Sequence, residues 1–186
     1  MTSSNPPFAP VHVIVTKVDP ETAKSSLWLD LVRNPYPVER ARVYNLWDSN
    51  QFPADNNDEE VGVPHTIKDH AADTQEMFNR NGSAVRLIDI PPGMKDFMHQ
   101  TESLDYAVVL KGHVTLILDD GTSSEIPEGS LIVQRGTNHA WVNRSDSWVR
   151  LLFVIVPAKR VQLHNGVLHQ DVEHVMAVRR ASEGSI

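Results

Sequence analysis

The sequence contains no cysteine among its 186 residues, which excludes disulfide bonds, thiolate metal ligands and cysteine nucleophiles together. It has no apolar run near the roughly 20 residues that a membrane-spanning helix needs. The first ten residues, MTSSNPPFAP, show neither the basic start nor the apolar stretch of a signal peptide, so a cytoplasmic location is expected. Basic side chains are scarce as well, with 17 Lys and Arg against 24 Asp and Glu and a net charge of −7. Neither nucleic acid nor a membrane surface is therefore an expected partner.

What remains is the composition of one globular domain, with 40% hydrophobic and 22% charged residues. Four parts are predicted along it. Residues 1–10 form a flexible arm, and 11–82 hold N-terminal strands together with a flap loop at 51–80, where the composition turns acidic and poor in apolar residues. Residues 83–157 form a β-barrel, and 158–186 form a C-terminal segment that packs on it.

Short runs with alternating apolar residues predict strands at 11–18, 26–33 and 41–49, and again at 83–90, 104–110, 113–120, 130–135, 139–143 and 149–156. Turns containing glycine divide the later runs. Many short strands at close spacing indicate an all-β antiparallel sandwich or barrel. The apolar residues Val167, Val172, Val175 and Met176 predict a short closing helix.

Two stretches carry the chemistry. GMKDFMHQTESLDYAVVLKG places Gly93, His99, Asp105 and Gly112 in one pattern, and QRGTNHAWVN places His139 between Gly136 and Asn143. Together they resemble the two signature motifs of the cupin superfamily. The resemblance implies a double-stranded β-helix, or jelly-roll, barrel that holds one divalent metal ion (Fe, Zn or Mn) through His99, Asp105 and His139.

The chain departs from the cupin pattern at informative positions. Thr101 replaces the second histidine of the first motif, and Asp105 replaces its glutamate. Two imidazoles and one carboxylate still form a workable site with open positions for substrate. Glu102 is predicted either as a fourth ligand or as an acid–base group. Thr101, Trp141 and Asn143 are predicted to line the pocket, although Trp141 fits a core position equally well.

The resemblance extends to short microbial cupins that are described as cupin-domain oxidoreductases beside fungal polyketide synthases. It implies a metal-dependent oxidoreductase that acts on a small oxygenated metabolite, polyketide-derived or aromatic. A lyase or isomerase using the metal as a Lewis acid is one alternative, and a ligand-binding cupin without turnover is another. Arg135 is interpreted as a solvated strand end, with orientation of an anionic substrate as its alternative. A homodimer is expected, with the apolar N-terminal strands as interface.

Overall fold

The computed structural model describes residues 8–57, 80–94 and 97–168, and within these ranges the regular elements are all strands. They are β1 (Val11–Val18), β2 (Ser25–Arg33), β3 (Tyr36–Val38), β4 (Ala41–Asp48), β5 (Ala84–Ile90), β6 (Ser103–Lys111), β7 (His113–Leu118), β8 (Ser123–Pro127), β9 (Leu131–Arg135), β10 (His139–Val142), β11 (Val149–Pro157), β12 (Gln162–Leu163) and β13 (Gly166–Val167). A helix long and apolar enough to cross a membrane is not found in these ranges.

Two antiparallel sheets enclose the main core. One has the order β3-β4-β5-β11-β6-β9 and the other the order β10-β7-β8. Alternation along the strands sends every second side chain inward, so Val109 of β6, Val114 of β7 and Leu151 of β11 are fully buried in one cluster. Ile126 of β8 and Trp141 of β10 pack against the same cluster. This double-sheet arrangement agrees with the predicted jelly-roll barrel.

The β1–β2 hairpin covers part of the outer face of the larger sheet. Val11 and Val13 of β1 pack against a second cluster that contains Tyr44 and Leu87. The hairpin therefore gives the larger sheet a core on each of its faces.

A buried ion pair lies beside this second core. Arg150 donates from Nε to Asp89 at 2.6 Å and from Nη2 at 2.8 Å, and Asp89 is fully buried. The Tyr44 hydroxyl donates to Asp89 at 3.2 Å. The ring of Phe8 lies 4.7 Å from the Arg150 guanidinium carbon, so the end of the predicted N-terminal arm is anchored by this pair.

The predicted closing helix is wrong for the residues that the structure describes. From Gln162 the chain forms the small hairpin β12–β13, in which Leu163 pairs with Gly166. Asn165-Gly166 is a strong turn signal, and Gly166 has a φ of 148° that favours glycine. The apolar residues predicted to define the helix beyond this point, and residues 58–79 of the predicted flap, lie outside the described residues. Residues 51–57 contain no strand or helix.

Candidate active site

His99 and His139 meet where the two sheets come together. They form an isolated antiparallel bridge, in which the His99 amide donates to the His139 carbonyl at 2.9 Å and the His139 amide donates back at 3.0 Å. The centroids of the two imidazole rings are 4.3 Å apart. The structure thus brings together the two histidines that the motifs predict.

Both imidazoles are oriented by a backbone carbonyl two residues upstream. Nδ1 of His139 lies 2.9 Å from the Thr137 oxygen, and Nδ1 of His99 lies 3.4 Å from the Phe97 oxygen. A carbonyl oxygen only accepts hydrogen bonds, so each of these contacts suits a ring whose proton is on Nδ1. For His139, however, the Gln134 Nε2 atom also lies 2.8 Å from Nδ1.

The surroundings of His139 keep its ring neutral. Burial, together with the charge of neighbouring His99, lowers the pKa of His139 to about 3. Gln134 of β9 reaches across from the other sheet and places its Nε2 atom 2.8 Å from both ring nitrogens of His139. An uncharged imidazole has a lone pair with which it can bind a cation.

Asp105 lies next to Gln134, because the two residues are partners in the β6–β9 pairing. Among the described residues, Oδ1 of Asp105 and Oε1 of Gln134 are both buried without a hydrogen-bond partner. Burial raises the pKa of Asp105 to about 6, and a hydrogen bond from Ser103 partly offsets this rise. Buried polar atoms are normally satisfied, so these two oxygens mark a surface suited to a ligand.

Thr101 lies within a short hydrogen-bonded series that leads to Asp105. Its hydroxyl oxygen is 2.7 Å from that of Ser103, and both side chains are buried. Ser103 in turn hydrogen-bonds the Asp105 carboxyl group. Thr101 therefore lies close to Asp105, and its role as a pocket residue stays a prediction.

Glu102 is engaged by two arginines. Its Oε2 atom lies 2.7 Å from Arg80 Nη1 and its Oε1 atom lies 2.9 Å from Arg160 Nε, while its side chain is only 7% exposed. Burial by itself raises the pKa of Glu102, but the hydrogen bonds from both arginines hold that pKa below its usual value. The carboxylate predicted as a ligand or acid–base group thus has each oxygen in an ion pair.

Trp141 and Asn143 play different parts. The Trp141 ring packs edge-on against His139 at 6.0 Å and against Phe153 at 5.8 Å, so it joins the site to the core. The Asn143 amide donates to the carbonyls of Ile90 at 3.0 Å and Ser147 at 2.7 Å. Asn143 is therefore committed to holding the backbone after β10, and the structure gives it a packing role.

Sequence reasoning missed Gln134, Ser103 and the two arginines that bind Glu102. Gln134 could have been found, because it shares the inward parity of Ile132 on β9. In the sequence, Arg80 precedes the barrel and Arg160 follows it, and neither belongs to a recognisable motif. Their contact with Glu102 depends on the folded chain alone.

Comparison with known proteins places the chain in a family. It is 31% identical over 146 residues to a cupin-domain-containing oxidoreductase of Aspergillus ruber, with 73% of this chain and 70% of the relative covered. It is also 45% identical over 93 residues to phomopsin biosynthesis cluster protein D of Diaporthe leptostromiformis, with 50% and 49% covered. The chain spans about half the length of the first curated relatives it matches. These relatives show that the chain belongs to the cupin superfamily.

The fold comparisons are weaker. An ethanolamine utilization protein Q from Salmonella typhimurium aligns with a TM-score of 0.43 and 10% identity, over 82% of this chain and 100% of the other. A search against protein-family models gives no match. The family assignment therefore depends on the sequence relatives.

Cupins commonly bind a metal ion, and the donor chemistry of this site fits one. Histidines that bind metals usually donate their other ring N–H to a carbonyl or carboxylate, and Nδ1 of both His99 and His139 lies near such a carbonyl. Asp105 adds a buried carboxylate oxygen without a partner among the described residues. Across the described ranges, however, three or more His, Asp or Glu side chains are nowhere close enough together to hold an ion. The fit is thus one of donor type and orientation.

Proposed function

We propose that this chain is a cupin oxidoreductase that acts on a small oxygenated metabolite at the His99–His139 pair. The observation that carries the proposal is the pair itself, two imidazoles oriented by main-chain carbonyls beside a buried carboxylate. A relative is named a cupin-domain-containing oxidoreductase, and others are named as proteins of fungal biosynthesis clusters. These names support a role in the biosynthesis of a small metabolite, for which we propose a polyketide-derived or aromatic compound.

His99, His139 and Asp105 would hold one divalent ion, iron, manganese or zinc, and their side chains would have to draw closer together than in the described structure to do so. When bound, such an ion would polarise a carbonyl or hydroxyl oxygen of the substrate. As a ligand of this ion Asp105 would be ionised, whereas in the metal-free site burial raises its pKa to about 6. Gln134 would orient the substrate through its unpartnered Oε1 atom, and Trp141 would exclude water from one side.

The raised pKa of Asp105 also favours a second candidate, a lyase or isomerase in which Asp105 does not bind the ion. A carboxyl group whose pKa lies near the working pH is suited to general acid–base catalysis. Such a reaction moves a proton without consuming an oxidant. The test is to analyse the products formed from a panel of phenols and diketones with and without dioxygen. An oxidoreductase that uses oxygen as electron acceptor needs dioxygen, whereas a lyase or isomerase does not.

Metal analysis tests the shared part of the proposal. Protein purified without added metal is expected to contain close to one ion per chain. The variants His99→Ala and His139→Ala are expected to lose it, whereas His113→Ala, on the exposed start of β7, retains it. A chain that holds no ion, and takes up none from iron, manganese or zinc solutions, contradicts the proposal and favours a ligand-binding cupin without turnover.

We also propose that the chain forms a homodimer through the outer face of the β1–β2 hairpin. Val18, Leu27 and Val32 are 61%, 65% and 63% exposed there, and large exposed apolar patches commonly mark interaction sites. Light scattering is expected to give twice the chain mass. The variant Leu27→Glu/Val32→Glu is expected to give a folded monomer, and a wild-type monomer refutes the dimer.

A further inference from the structure

A cavity of about 210 Å³ lies beside the candidate site and is lined in part by Thr101 and Ser103, which also border that site. It forms where the segment after β11 folds back against the adjacent ends of β6 and β9, and the Ala158 amide donates to the Glu102 carbonyl at 3.2 Å there. Leu104 of β6 and Arg135 of β9 are cross-strand partners and line this cavity. Asp105, which follows Leu104, and Gln134, which precedes Arg135, point inward. Because side chains alternate along a strand, those of Leu104 and Arg135 point away from the histidine pair. We call this cavity the basal cleft.

The basal cleft is cationic although the chain as a whole is acidic. Arg135, Lys159 and Arg160 line it, against a single carboxylate, that of Glu102. Glu102 is already bound by Arg160 and by Arg80. Within the described part of the chain, Arg135 and Lys159 have no ion-pair or hydrogen-bond partner. Two cations at one cavity thus have no counter-ion among the residues that the structure describes, in a chain whose net charge is −7.

The other walls of the basal cleft combine the polar residues Gln100, Thr101 and Ser103 with an apolar part. Leu104, Val161 and Leu168 line it, and the Leu168 amide donates to the Val161 carbonyl at 2.9 Å. Gly136 also lines it. A Cβ at this position would be in ordinary van der Waals contact with Val161 Cγ2, at 3.5 Å, but its φ of 62° favours glycine. The cleft is therefore preformed and combines a cationic end with a short apolar wall, the pattern of small-molecule sites.

We propose that the basal cleft binds a small organic acid. Its carboxylate lies between Arg135 and Lys159, and its short apolar body lies against Leu104 and Val161. The guanidinium of Arg135 offers paired donors that match a carboxylate, and Lys159 adds a point charge. This binding is independent of the reaction proposed for the histidine pair and of any metal there.

Calorimetric titration at low ionic strength tests the inference, with benzoate and hexanoate as probes. At least one of these acids is expected to bind. If benzoate binds, its uncharged analogue benzamide is expected to bind about tenfold more weakly. Added salt is expected to weaken binding, because exposed charges are screened. The absence of binding by both acids at millimolar concentration overturns the proposal, and so does benzamide binding as tight as that of benzoate.

Variants locate the site. Arg135→Gln/Lys159→Gln is expected to weaken acid binding about tenfold, the sum of two exposed charge interactions. The matched control Lys24→Gln/Arg144→Gln removes the same charges at exposed positions outside the cleft and is expected to change binding less than twofold. Equal weakening in both variants refutes a specific site.

His99→Ala separates this inference from the proposed function. The variant is expected to keep acid binding within about twofold of the wild type, even if it loses metal. Loss of acid binding in His99→Ala would place the acid at the histidine pair and overturn the proposal for the basal cleft.

Discussion

Replacing Glu102 with Gln tests whether this carboxylate serves the fold or the metal. Its two oxygens are bound by Arg80 at 2.7 Å and by Arg160 at 2.9 Å, and its own side chain is 7% exposed. A hydrogen bond to a charged group contributes about 1.5–3 kcal/mol, but the arginines are 39% and 44% exposed, so water screens both interactions. Glutamine retains one acceptor. We therefore expect Glu102→Gln to lower the free energy of unfolding by about 2 kcal/mol.

Urea denaturation at pH 7 measures this loss, and a thermal scan should show a midpoint lower by about 4–8 °C for a domain of this size. The arginines hold the pKa of Glu102 below its usual value. The stabilisation is therefore complete above the pKa of the unfolded chain and disappears as the pH falls through the folded value. The difference between wild type and variant should shrink accordingly in acid.

The matched control is Glu128→Gln, which alters an exposed pair with Lys111 at 3.3 Å. This variant is expected to leave the midpoint unchanged. We expect the metal content of Glu102→Gln to equal that of the wild type. An unchanged stability together with loss of the metal would refute the reasoning and restore Glu102 as a ligand.

Three further predictions concern buried groups. In protein treated with a chelator, Asp105→Asn is expected to raise stability at pH 8 by up to about 3 kcal/mol, because the raised pKa of Asp105, about 6, makes its ionisation costly in the fold. That gain should vanish in urea denaturation near pH 4, and a gain independent of pH would contradict it. Asp89→Ala leaves the Arg150 guanidinium, 13% exposed, without its carboxylate partner. It is expected to lower the free energy of unfolding by about 3 kcal/mol in the same assay, whereas a loss below 1 kcal/mol would show that the pair contributes little. Gly82→Ala would drive a methyl group into the Ser49 carbonyl, so a large drop in thermal midpoint is expected, and an unchanged midpoint would refute this close approach.

Much of the fold could be predicted because strands and turns leave local signals. The alternation at 11–18 and the apolar run at 149–156 each correspond to an observed strand, β1 and β11. The short strands β3 and β8 were not predicted, since Tyr36–Val38 lies between turn residues and Ser123–Pro127 is polar. The closing helix was predicted from the spacing of apolar residues, while the Asn165-Gly166 turn signal within the same segment was overlooked.

In the candidate site too, residues within local motifs could be predicted and residues that meet only in the folded chain could not. His99 and His139 could be predicted because they lie in motifs of fixed spacing, and the structure brings their rings together. The partners of Glu102 could not, because Arg80 and Arg160 are distant in sequence and meet only in the folded chain. The ligand roles of His99, Asp105 and His139 stay predictions until a metal is measured.

The two main-chain hydrogen bonds between His99 and His139 affect how such a site can vary. These bonds, at 2.9 and 3.0 Å, join main-chain atoms, so the separation of the two α-carbons does not depend on which side chains they carry. Donor groups can therefore be exchanged at these positions while the frame beneath them stays in place. Replacing one imidazole with a carboxylate, in evolution or by mutagenesis, is therefore expected to change which ion the proposed site prefers while the barrel stays intact.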